Sequence, residues 1–72
     1  MTTLSDDDII HAVKQRRKQN TEYRIQLDVA VQRKDEHEIS RLIQKAVKKV
    51  LGIIVDVTFD IVREVWDWLR GK

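Results

Sequence analysis

The chain has 72 residues, 36 % of them charged, with a formal net charge of +2 and neither cysteine nor proline. That length allows one small domain over residues 1–72, with a core that is marginal unless something staples it. The lack of cysteine excludes disulfides and thiolate zinc sites and fits a reducing, cytoplasmic setting.

The distribution of charge says more than its sum. Residues 14–49 carry eleven Lys/Arg against five Asp/Glu, a net of +6. Residues 1–13 carry a net of −3 and residues 50–72 a net of −1. Positive potential is concentrated in the middle, which favours an anionic partner. The opening Met1-Thr2-Thr3-Leu4-Ser5-Asp6-Asp7-Asp8 lacks the basic and apolar regions of a secretory signal. No uncharged run approaches the roughly 20 residues of a membrane span.

The first helix is expected at 5–19. Ser5 is a good N-cap, and Asp8 can close a capping box. Asp6, Asp7 and Asp8 suit the positive end of the dipole, and Lys14, Arg16, Arg17 and Lys18 the negative end. Its apolar face is short: Ile9, Ile10 and Val13, with Ala12 beside them. Asn20-Thr21 is a plausible exit, because both side chains compete for backbone hydrogen bonds.

The period then changes. Tyr23, Ile25, Leu27, Val29 and Val31 alternate with Arg24, Gln26, Asp28, Ala30 and Gln32. On a helix, Ile25 and Val29 would face away from Tyr23, Leu27, Ala30 and Val31. Period two with β-branched side chains predicts a strand at 22–32. After a charged connector, Ile39, Leu42, Ile43, Ala46, Val47, Val50 and Leu51 step by three and four, predicting a helix at 36–51. Glu36 and Glu38 open it and Lys48 and Lys49 close it, matching the dipole. Gly52 reads as a left-handed cap or as a glycine within a longer helix.

Residues 53–70 allow two readings. Val55, Val57, Phe59 and Ile61 alternate, as in a strand. At about 100° per residue, however, Asp56, Asp60, Arg63, Glu64, Asp67 and Arg70 fall within an arc of roughly 120°. That favours a helix at 54–70 with an apolar arc wider than one small core needs. Trp66 lies well inside the arc and is expected in the core, and Trp68 lies at its margin. The expected fold is therefore mostly α with one β-strand, in the order α-β-α-α.

No constellation predicts catalysis or a cofactor. Asp6, Asp7 and Asp8 diverge around a helix and read as cap and dipole residues. His11 has no second ligand nearby, and His37 lies between Glu36 and Glu38, which helix geometry does not bring into reach. Ser5 is a cap, and Ser40 has no oriented base. The only glycines are Gly52 and Gly71, so no phosphate loop exists. The chain reads as a non-enzymatic binding module without cofactor or metal.

A lone strand with one buried face needs a partner for its backbone groups. A homodimer with a two-fold antiparallel ribbon supplies one and adds the missing core. Strand, helix and helix over 22–70, with that ribbon, resemble the layout of ribbon-helix-helix DNA-binding proteins. The resemblance implies a ribbon face of Arg24, Gln26, Asp28, Ala30 and Gln32 turned to a major groove. Arg24 and Gln26 suit base edges, whereas Asp28 repels phosphate. The appended first helix and the long strand depart from that family's compact pattern.

The expected function is a protein–protein adaptor or regulator acting as a homodimer, with Phe59, Trp66, Trp68 and Leu69 facing an unidentified protein partner. The alternative is a nucleic-acid-binding regulator, with Arg16, Arg17, Lys18, Arg24 and Gln26 as contacts. Lys45, Lys48 and Lys49, with Arg41 near them, form a second basic face. A third reading lays 54–70 on a membrane surface, which the acidic polar face opposes.

Overall fold

A computed structural model describes residues 5–71. Residues 1–4, at the head of the stretch without secretory-signal character, and residue 72 lie outside the described residues. The fold is mostly α: four helices, α1 (Asp6–Gln19), α2 (Thr21–Gln32), α3 (Glu36–Leu51) and α4 (Phe59–Leu69), and no strand among the described residues.

Each helix begins on a side chain that accepts an otherwise unpaired backbone N–H. Ser5 accepts from Asp8 N–H while the Asp8 carboxylate accepts from Ser5 N–H, closing the expected capping box. Asp35 accepts from Glu38 N–H, and Thr58 from Ile61 N–H. Asn20 serves two helices. Its N–H donates to Arg16 at the end of α1, and its side chain accepts from Tyr23 N–H at the start of α2. The exit from α1 at Asn20 is thus as expected, but the segment after it is not.

Residues 21–32 are helical, which corrects the strand at 22–32. Tyr23, Leu27, Ala30 and Val31 fall on one helical stripe, and all are buried. The apolar residues that made the alternation regular are left over. Ile25 remains 53 % exposed and Val29 39 %. Burying one stripe against a neighbouring helix outweighs a local β preference, which is a weak and context-dependent force. With the strand goes the intermolecular ribbon, and with it the ribbon-helix-helix order.

The core is one cluster. Ile9, Ala12 and Val13 of α1, the stripe of α2, Ile39, Leu42, Ile43, Ala46 and Val47 of α3, and Ile61, Val62 and Val65 of α4 make it up. The α3 stripe is the one its spacing predicts from Ile39 to Val47; Val50 is only partly buried and Leu51 is exposed. One polar contact crosses this core: the buried Tyr23 hydroxyl donates to the Leu42 carbonyl, pinning α2 to α3. Burial raises the Tyr23 phenol well above its usual value, although Arg16 and Arg17 pull the other way.

The last segment divides in two. The helix expected at 54–70 begins only at Phe59, and residues 53–58 form neither helix nor paired strand. Val55 and Val57 turn inward onto the core while Ile54 and Asp56 face out. The alternation seen in the sequence is therefore real there, but it makes a strap and not a strand. The Gln44 side chain fastens it by donating to the Val55 carbonyl at 3.3 Å. The excess width of the apolar arc came from reading this strap and the helix as one element.

Three described residues adopt the left-handed region: Lys34, Gly52 and Gly71. Gly52 (φ 75°) caps α3, as one of the two readings held. Lys34 (φ 57°) ends α2. Its N–H donates to Val31 and that of Asp35 to Ala30, the bonds of a Schellman turn. A left-handed lysine costs about 1–2 kcal/mol that glycine avoids. Lys34→Gly should raise stability by about 0.5–1 kcal/mol after its unfolded-state entropy is deducted, measurable as a rise in urea midpoint at unchanged m-value.

Tyr23 predicts an alkaline transition. Its folded-state value lies above the unfolded value of about 10, so the folded form holds its proton longer. Its stabilising contribution is intact below pH ~10 and is lost as pH rises beyond it, at up to about 1.4 kcal/mol per pH unit. Tyr23→Phe should cost about 1 kcal/mol at neutral pH. It should flatten the pH dependence of the melting midpoint above pH ~10.

Candidate binding site

The last turn of α1 places three cations in a row, Arg16, Arg17 and Lys18. Successive helical residues diverge by about 100°, so they cannot serve one surface. The structure divides them, and it divides the five expected nucleic-acid contacts in the same way.

Arg16 and Gln26 line a cleft between the α1–α2 corner and the second half of α3. Asn20, Glu22 and Tyr23 line it from one side, and Lys45, Lys48 and Lys49 from the other. Four cations face one carboxylate there. The second basic face noticed on α3 therefore joins Arg16 and Gln26, which spacing alone could not show.

That cleft runs on into a groove between α2 and α3, sharing Gln26 and Lys45. Here the lining becomes apolar: Ile25, Val29, Ala30 and Leu42. Arg33, Arg41, Asp35 and Glu38 edge it, and Arg41 meets Glu38 at 3.4 Å. Beyond Arg41 and Lys45, the 80 %-exposed Ile54 of the strap lines a further hollow with Lys48 and Gln44. Neither Ile25 nor Val29 was among the expected site residues. The signal that could have found them was present, since both were misfits on a helical wheel of 21–32.

Arg17, Lys18 and Arg24 turn to another cleft, with His11, Lys14, Gln15, Thr21 and Trp68. Arg17 is fixed there. Its guanidinium pairs with Asp28 at 3.0 Å and packs over the Trp68 ring, 5.1 Å from the centroid. The buried Arg17 Nε has no hydrogen-bond partner. Lys14 Nζ lies at 5.1 Å from the same ring centroid. Cation–π contacts of this kind are worth about 0.5–1 kcal/mol at exposed sites.

The four expected partner-facing residues do not form one surface of a common kind. Phe59 is 58 % exposed at the start of α4. Trp66, Trp68 and Leu69 are half-buried and pack against the core. Trp66 is not the deep core residue its position on the wheel suggested. Val65 is fully buried in its place, because α4 begins late and docks on Ile61, Val62 and Val65.

Among the described residues, no three or more His, Cys, Asp or Glu side chains group as metal ligands. Among the same residues, no helix is long and apolar enough to cross a membrane. Comparisons with protein families, with curated proteins and with solved structures found no match.

The Arg17–Asp28 pair can be tested directly. Asp28 is 46 % exposed, so solvent screens the pair. Asp28→Asn should cost no more than about 1 kcal/mol, read from chemical denaturation. A larger loss would mean that the pair is needed to hold α1 against α2.

Proposed function

We propose that this chain is a non-enzymatic, cytoplasmic adaptor or regulator that docks an acidic, amphipathic helical segment of another protein. The observation that carries this reading is the groove between α2 and α3. Ile25 and Val29 stand one helical turn apart on α2, open to solvent, above a floor of Ala30 and Leu42. Ile25 and Val29 are already about half covered, so a ligand that buries the rest gains about 0.5–1.5 kcal/mol from each. Helix-in-groove recognition uses anchors at this spacing.

Charge selects the partner. Lys45 belongs to both the groove and the basic cleft, where Lys48, Lys49 and Arg16 surround a single Glu22. A helix laid along this surface meets apolar side chains at one end and cations at the other. Leucines followed by carboxylates would match it, and lysines would not.

The same charges bear on the homodimer expected from the sequence. Without a ribbon, two copies meeting along this surface would bring the cations of the adjoining basic cleft, Arg16, Lys45, Lys48 and Lys49, towards those of the other copy. Like charges placed opposite each other disfavour that contact. A membrane-surface role for 54–70 is opposed too, since Ile61, Val62 and Val65 face the core.

The test uses two synthetic helical peptides with one apolar face, one peptide carrying glutamates on its polar face and the other lysines. The acidic peptide should bind and should shift the amide resonances of Ile25, Val29 and Lys45. Ile25→Ser with Val29→Ser should weaken it by about tenfold or more, the equivalent of about 1.4 kcal/mol. The melting midpoint should fall only slightly, because both side chains lie at the surface and only their half-covered contacts are lost. Equal binding of both peptides, or indifference to the double substitution, would rule the groove out.

A further inference from the structure

The cleft at the α1–α2 corner calls for a ligand of its own, independent of the groove between α2 and α3. Lys14, Arg17, Lys18 and Arg24 line it, with Trp68, and no carboxylate does. Arg17 is committed to Asp28 and to the indole. Lys14, Lys18 and Arg24 are exposed.

Helix dipoles do not explain this cluster. Lysines and arginines at the end of α1 complement its negative terminus, which accounts for Lys18. Lys14 is nearer the middle of α1. Arg24 is the fourth residue of α2, beside the positive terminus, where a cation is disfavoured. Lys18 and Arg24, with Lys14 held only by the Trp68 ring, crowd like charges around one open cleft, and an anion relieves that repulsion. The cleft also offers an aromatic face beside the cations, the combination that binds single-stranded nucleic acid.

We infer that this cleft binds single-stranded nucleic acid. Lys14, Lys18 and Arg24 contact successive phosphates, and a base stacks on the platform made by Trp68 and the Arg17 guanidinium once the flexible Lys14 stem swings from the ring to a phosphate. A duplex would keep its base faces from Trp68. An anionic membrane would find no aliphatic anchor in the lining of this cleft, where Trp68 is the one large apolar side chain and is only partly exposed.

The experiment titrates a fluorescein-labelled oligothymidylate strand with the full chain by anisotropy. Three phosphate contacts on a single strand predict about twentyfold weaker binding on going from about 50 to about 200 mM salt. Lys18→Gln with Arg24→Gln leaves one contact, so the same salt step should cost only about threefold. Both residues are exposed, and circular dichroism should confirm an unchanged fold. Lys45→Gln with Lys48→Gln, on the other cleft, should leave affinity and salt dependence as they are. With Trp66→Phe as background, the strand should quench Trp68 emission, and inorganic polyphosphate should compete without quenching it. The inference is overturned if no strand binds, if both substituted pairs weaken binding alike, or if Trp68 emission stays constant. Binding of polyphosphate or anionic vesicles with none of the strand would overturn it as well.

Discussion

Burial of Tyr23, Leu27, Ala30 and Val31 against the rest of the core decides the shape of the molecule. This stripe makes α2 a helix, brings the Tyr23 hydroxyl to the Leu42 carbonyl, and closes the angle between α2 and α3. It also fixes what stays outside. Two aliphatic side chains cannot join a stripe that is already full, so Ile25 and Val29 rim the groove. The binding surface is the remainder of the packing problem, and the same residues that stabilise the fold create it.

Electrostatics derive from how the helices end. Acidic residues open α1 and α3, and basic residues close them. Each arrangement suits its own helix dipole. Packing then brings the end of α1 beside the second half of α3, so Arg16 meets Lys45, Lys48 and Lys49. Local charge placement thereby becomes a predominantly positive surface, with Glu22 as its one carboxylate. Arg24 and Lys14 stand apart from this logic, and they distinguish the Trp68 cleft from charge that merely serves helix ends.

The parts of the fold legible in the sequence were those where local and global preferences agreed. The Ser5 cap, the exit at Asn20 and the α3 stripe from Ile39 to Val47 all belong to that class, while Gly52 stayed open between a cap and a glycine within a longer helix. α2 was misread because its surplus apolar residues completed an alternation as regular as a strand's. Only the position of α3 shows which stripe is buried. The strap at 53–58 was merged with α4 because extended and helical periodicities run consecutively there, with Thr58 as an unnoticed cap. As for the site, charge density in the middle of the chain was visible. Which cations share a cleft was not, since a helix separates Arg16 from Arg17 by its pitch, and only tertiary packing supplies their neighbours.

The junction at Asn20 has a consequence for how this chain tolerates changes of length. One residue ends α1, begins α2 and carries the backbone bonds of both. It leaves no slack. An insertion or deletion there would turn α2 by about 100° about its axis, withdrawing Tyr23 and Leu27 from the core and presenting Ile25 or Val29 instead. The strap between Gly52 and Phe59 is different. It is neither helix nor paired strand, fastened through few bonds, and able to absorb an added residue as a bulge. Length variation in proteins of this architecture is therefore expected to gather before α4 and to spare the first corner, where a single inserted residue would move the core stripe and the docking groove together.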